Sequence, residues 1–143
     1  MDTTGLIVVA VVLLVAAALG LWRRATDGRV RAVSGGPAGT EIPGDVAGDL
    51  PLVVQFSSEV CAPCRGVRRV VAEVVDARDD IRAVDLDVAE HPGLAERFNV
   101  MRTPTVLVLD ADRTPRFRAS GPLTRADLSD AVARVSLIPQ EQK

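Results

Sequence analysis

Cysteine is nearly absent from this chain: Cys61 and Cys64 are the only two in 143 residues, and they stand three positions apart. Two cysteines so close cannot build the disulfide framework of a small secreted domain, and a bridge between them would staple almost nothing. Histidine is scarcer still, with His91 alone. Aromatic residues make up 3% of the chain and back no basic cluster, and the net charge is −2, which together argue against a nucleic-acid surface. Of the 17 basic residues only Lys143 is lysine, a bias that fits GC-rich coding rather than chemistry. Charge is missing altogether from Thr3 to Trp22.

That uncharged stretch, TTGLIVVAVVLLVAAALGLW, is 20 residues long. At about 1.5 Å per residue it spans about 30 Å, the hydrocarbon thickness of a bilayer. Trp22 stands where an interfacial aromatic belongs. A cleaved signal peptide is the alternative, but it calls for a positive leading region, and the side-chain charge before the run is Asp2. The segment 3–24 is therefore read as an uncleaved transmembrane anchor. Arg23, Arg24, Arg29 and Arg31 follow it, so the positive-inside rule predicts an N-terminus outside and a cytoplasmic domain.

The remainder is globular in composition, with a quarter of the chain charged, and is long enough for one domain. Residues 25–50 are read as a juxtamembrane segment: GRVRAV as a possible short edge strand, then a Gly/Pro-rich loop with at most one turn of helix. A domain over 51–137 and a fraying tail over 138–143 follow. PLVVQFS, from Pro51, is a continuous apolar run suited to a strand buried on both faces. Val67, Val70, Val71, Val74 and Val75 recur at helical spacing, with arginines and Glu73 on the other side, which predicts an amphipathic helix. IRAVDLDV reads as a second strand, and HPGLAERFNV as a short helix opened by Pro92 and burying Leu94 and Phe98. TVLVLD is another buried strand. RFRAS alternates and so belongs nearer an edge. TRADLSDAVARV is a last helix with Thr124 as N-cap, Asp127 as its capping carboxylate, and Leu128, Val132 and Val135 facing inward. The order gives an α/β fold with a mixed sheet.

A lone C-x-x-C also occurs in zinc knuckles, in haem attachment and by chance. Here Cys61 falls where a buried strand hands over to a helix, so unpaired N–H groups and the positive end of the helix dipole face its sulfur and favour thiolate. Pro63 in the first turn needs no N–H. Cys64, one turn on, sits deeper and reaches back to Cys61, a geometry for attack by Cys61 on a disulfide and resolution by Cys64. Structural zinc wants four ligands, and only His91 joins the pair among soft or imidazole donors. Haem attachment wants histidine where Arg65 stands. Two inert core thiols remain an alternative, as does a solvated loop role for His91 and Glu59.

LVVQFSSEVCAPC, with RTPT placing Pro104 40 residues after Cys64 and a strand pair ending in Gly121, resembles the thioredoxin family over Pro51 to Val135. The resemblance implies a thioredoxin-like fold, a cis Thr103–Pro104 peptide against the cysteines, and a Thr103 backbone that pairs with a substrate strand. It implies a protein-disulfide reductase with no bound cofactor and no metal, the electrons residing on Cys61 and Cys64, and with Val60, Ala62, Pro63, Thr103 and Pro104 shaping the groove. Its partners are then protein disulfides and, as electron donor, a thioredoxin reductase or a membrane donor. The chain departs from the family pattern in carrying Val60 for the usual tryptophan and Gln55 for the buried aspartate that takes the second cysteine's proton. The lysine that partners that aspartate has no counterpart, Ala83 standing nearest. The competing readings are an extracytoplasmic reductant of secreted or haem-carrying proteins and a non-catalytic adaptor on the same fold.

Overall fold

The computed structural model describes residues 3–33, 35–45 and 49–138. Its elements, in chain order, are helix α1 (Thr3–Thr26), strand β1 (Arg31–Ala32), strand β2 (Leu52–Ser57), helix α2 (Ala62–Val75), strand β3 (Arg82–Asp87), helix α3 (Pro92–Arg97), strand β4 (Thr105–Leu109), strand β5 (Pro115–Ser120) and helix α4 (Arg125–Ser136). The strands form one five-stranded sheet in the order β1-β5-β4-β2-β3. β2 and β3 run parallel and every other neighbouring pair runs antiparallel. A thioredoxin-like α/β layout with a mixed sheet is therefore what the chain adopts.

Both apolar runs lie in the middle of the sheet, where each face needs a cover. All six residues of β2 and all five of β4 are buried. On one face Val53, Val106 and Val108 pack under Val67, Val71 and Val74 of α2 and under Leu128, Val132 and Val135 of α4. The valine stripe thus faces inward with the register its spacing predicts. On the other face Leu52, Val54, Phe56, Leu107 and Leu109 meet Phe98, at the end of α3, and Leu86. Phe56 and Phe98 stack in a tilted pair with centroids 6.0 Å apart. Leu94 is only half-buried, since a helix of six residues turns little of itself inward. Thr124 caps α4 by accepting from the Asp127 N–H at 3.2 Å, and its hydroxyl donates to the Asp127 carboxylate. At the far side of α2, the guanidinium of Arg78 holds the Asp80 carboxyl down at about 2, and Ser136 donates to the same carboxylate at 2.9 Å.

The folded unit begins before Pro51. Arg31 and Ala32 add the edge strand by pairing with Arg118 and Phe117. Ile42, in the segment expected to be loop, is 4% exposed and belongs to the second core. One apolar side chain and one buried ion pair, Asp45 with Arg113, bind that segment to the domain. A domain start at Pro51 is therefore too late, because a loop can contribute core without any periodic pattern. No regular helix forms within the described residues of this segment, and 46–48 lie outside them. Of the tail, 139–143 also lie outside the described residues.

α1 is long and apolar enough to cross a membrane by length and composition, over Thr3–Arg23. Its described side chains are exposed throughout.

Candidate active site

β2 carries the chain to one end of the sheet and stops at Ser57. The turn that follows is closed by the Cys61 N–H donating to the Ser58 carbonyl at 3.1 Å. Cys61 is the N-cap of α2: its backbone is extended, and its Sγ accepts from the Cys64 N–H at 3.2 Å. Pro63 lies in the first turn, where it displaces no helical hydrogen bond. The helix N-terminus and this N–H both favour negative charge on the Cys61 sulfur.

The two cysteines form a disulfide, with Cα atoms 5.3 Å apart. They differ in access. Cys61 is half-buried, whereas Cys64 is 2% exposed. A hollow of about 410 Å³ opens in front of the pair, lined by Ser58, Val60, Cys61, Ala62, Cys64 and Arg65 among others. Val60 is 94% exposed, and Ala62 and Pro63 are exposed beside it. Glu59 is exposed as well; His91 is the N-cap of α3 without a side-chain capping bond and takes no part in the hollow. Among the described residues no three His, Cys, Asp or Glu side chains gather as a metal site would require.

Thr103 and Pro104 come in from the start of β4. Their peptide bond is cis. They do not line the hollow itself; Thr103 Oγ1 lies 3.4 Å from Ser58 Oγ, which ties this loop to the cysteine turn. Pro104 is buried, and its carbonyl accepts from the Gly121 N–H at 2.8 Å. No backbone hydrogen bond engages Thr103 among the described residues, so its N–H and C=O are free to pair with an extended peptide. Ser58 was not distinguishable in the sequence, because its contact spans 45 positions and no local pattern marks it.

Gln55 faces α2 from the middle of β2 and is 1% exposed. Its Nε2 donates to the Cys64 carbonyl at 3.1 Å, while its Oε1 is the one buried side-chain N or O atom without a partner among the described residues. An orphaned buried acceptor of this kind costs about 1–3 kcal/mol. Gln55→Asp is expected to speed the attack of Cys64 on a mixed disulfide at neutral pH, because a carboxylate accepts a proton that an amide cannot. The same change should weaken the fold. Burial raises the folded pKa of an aspartate above its unfolded value of about 3.9, so the stability is intact below pH ~3.9 and falls as pH rises through the folded value. Urea unfolding at pH 4 and pH 7, with rapid-mixing kinetics of the resolving step, checks both halves. An unchanged resolving rate would show that the side chain at position 55 does not limit the loss of the Cys64 proton.

The thioredoxin family model matches residues 43–134. The chain belongs to the thioredoxin family. Thioredoxin M3 of rice chloroplasts is 32% identical over 71 residues, 48% of this chain and 41% of the rice protein. The thioredoxin of Mycolicibacterium smegmatis is 33% identical over 96 residues, 62% of this chain and 85% of that one. The match thus spans less than half the length of the rice relative but most of the mycobacterial one. Among solved structures, the oxidised mitochondrial thioredoxin 3 of Saccharomyces cerevisiae superposes with a TM-score of 0.53 at 25% identity, covering 59% of this chain and 77% of that one. Chloroplastic thioredoxin z gives 0.54 at 26% identity over 61% and 79%. This thioredoxin-family chain therefore carries its cysteine pair on the family's sheet, with an apolar helix in front of it.

Proposed function

We propose that the chain is a membrane-tethered thiol–disulfide oxidoreductase that works as a protein-disulfide reductase. The observation that carries this reading is the asymmetry of the pair: Cys61 is reachable at the N-terminus of α2, and Cys64 is 2% exposed directly behind it. In the reduced enzyme the Cys61 thiolate attacks one sulfur of a substrate disulfide. The substrate S–S bond breaks, a mixed disulfide forms, and the first substrate sulfur leaves as a thiolate and takes a proton. Cys64 loses its proton and attacks Cys61 Sγ, releasing the second substrate thiol and closing the Cys61–Cys64 disulfide. The substrate gains two electrons and two protons, and the enzyme is left oxidised.

Thr103 offers its free backbone edge to hold the substrate strand, and Pro104, Val60, Ala62 and Pro63 shape the surface it meets. Re-reduction needs a dithiol donor, a thioredoxin reductase on the cytoplasmic side or a membrane electron donor on the other. No cofactor is assigned to the chain itself. α1 acts as the anchor, and the arginines that follow it favour a cytoplasmic domain. Tethering confines the enzyme to a thin layer and raises its effective concentration for partners there.

Labelling in intact cells tests the topology, because the only thiols are the reacting pair. A membrane-impermeant maleimide is expected to modify the protein only after lysis, and without prior reductant. Modification in intact cells, conditional on an impermeant reductant, would place the domain outside and make the chain an envelope reductant instead.

A further inference from the structure

The strand register brings two distant parts of the chain to the same end of the sheet. β2 runs toward Ser57 and hands over to the cysteine turn. β4 starts at that end, with Thr105 opposite Phe56, and β5 finishes there, with Ser120 opposite Thr105. β1 runs antiparallel to β5 and starts nearest it, with Arg31 opposite Arg118. The chain therefore enters β1 from the end of the sheet that carries Cys61, and what precedes β1 is α1.

The entry is tied down. Asp27 N–H still bonds the Arg23 carbonyl at 2.9 Å, so the helix runs into the junction without a linker. The Gly28 N–H donates to the Ser120 carbonyl at 2.9 Å. Arg102 Nη2 pairs with Asp27 Oδ1 at 2.8 Å and donates to the Ser120 carbonyl at 3.1 Å. Gly28 has φ +77°, and a Cβ there would lie 1.5 Å from the Pro122 carbonyl oxygen, so the backbones meet too closely for any other residue. Arg102 immediately precedes Thr103. The end of α1 is thus fastened to the loop that holds the cis peptide, and through Thr103 and Ser58 to the cysteine turn. α1 is exposed along its described length, so it leaves this junction away from the domain and does not fold back along it. β1 and β2 are separated by β5 and β4, which at about 4.8 Å per spacing puts the dithiol about 14 Å to the side of the entry point.

We propose that this junction holds the dithiol face against the bilayer surface, and that the substrates are disulfides carried by membrane proteins close to the headgroups. The inference rests on α1 being a membrane anchor, and it holds for either side of the membrane. Two apolar side chains at this end of the sheet suit such a partner: Val60 is 94% exposed and Met101 is 85% exposed, one beside Cys61 and one beside the Arg102–Thr103 loop. They offer contact to the apolar flank of a chain leaving the bilayer. A disulfide held far above the membrane is out of reach, because the fastened junction gives the domain no slack to turn toward it.

The test uses the full chain, reduced beforehand and reconstituted in liposomes, in a single turnover. Its substrates are three copies of one disulfide-bonded hairpin: free in solution, joined directly to a membrane-spanning peptide, or raised on a rigid helical spacer of about 40 residues, about 60 Å. The hairpin at the surface is expected to be reduced roughly tenfold or more faster than the raised one. Inserting about ten Gly/Ser residues after Thr26 should erase most of that difference, while the rate on the free hairpin stays unchanged. Equal rates on the surface and raised hairpins, or a preference that survives the insertion, would overturn the inference and leave the reductase reading standing. Failure to reduce even the free hairpin, or failure of the chain to float with the liposomes, would overturn that reading and the inference with it.

Discussion

Replacing Cys61 by serine is expected to abolish disulfide reduction, and replacing Cys64 by serine to give a protein that reacts once and stops. The two outcomes differ because the sulfurs occupy different places. Cys61 is half-buried at the helix N-terminus, where an N–H points at its Sγ from 3.2 Å, so it is the sulfur a substrate reaches and the one whose negative charge is favoured. A serine hydroxyl at that position stays protonated and does not attack. Cys64 is 2% exposed and meets only a sulfur already bound at Cys61. Without it the mixed disulfide has no internal route to release. Intact-protein mass spectrometry should therefore show a one-to-one adduct with Cys64→Ser, cleared by dithiothreitol, and none with Cys61→Ser. Turnover persisting in Cys61→Ser would overturn the nucleophile assignment, and a phenotype that survives the loss of Cys61 would point to an adaptor instead. An adduct trapped by Cys61→Ser and not by Cys64→Ser would reverse the two roles.

The elements that carry this site were largely legible because each leaves a local pattern. The continuous apolar runs at Leu52–Ser57 and Thr105–Leu109 become the two strands buried on both faces. The valine stripe becomes the inward side of α2, and Thr124 with Asp127 caps α4. Cys61 at a strand-to-helix corner followed from those same patterns. The cis bond at Thr103–Pro104 came from the family resemblance, since nothing in the local residues distinguishes it from a trans bond.

What stayed hidden depends on contacts between positions far apart. β1, read as a possible edge strand in GRVRAV, forms over two residues at the sheet edge, but its partner β5 lies more than 80 positions on and no local pattern names it. Ile42 is a single apolar residue in a Gly/Pro-rich segment, and its burial depends on a sheet face assembled from β2, β4 and α3. Gln55 was recognisable as a departure from the family pattern. Its unpartnered oxygen was not, because satisfaction of a buried atom is a property of every neighbour at once. The fastening of α1 to the active end is of the same kind: Asp27 and Arg102 are 75 positions apart.

Among such long-range contacts, the one between Asp45 and Arg113 carries the largest expected effect on stability. Arg113→Met should cost about 3–5 kcal/mol, because it removes the guanidinium from a carboxylate that is largely out of water. The two side chains are 8% and 11% exposed, with Arg113 Nε on Asp45 Oδ2 at 2.5 Å. The same guanidinium donates through Nη1 to the Leu50 carbonyl at 2.9 Å and the Ala111 carbonyl at 3.1 Å. It therefore binds the segment that precedes β2 to the turn between β4 and β5, and so holds in register the strand that positions Cys61. Arg113 has φ 61°, a conformation that methionine enters at about the same cost, so the comparison isolates the side chain. For a domain of this size the loss amounts to a fall in Tm of about 15–25 °C. Arg113→Met combined with Asp45→Asn should recover part of it, since the second change removes the carboxylate charge that the guanidinium balances in the native fold. Thermal unfolding of the two single variants and the double variant decides the matter. Single-variant losses that simply add would show that Arg113 acts through its carbonyl contacts, and that the ion pair itself contributes little.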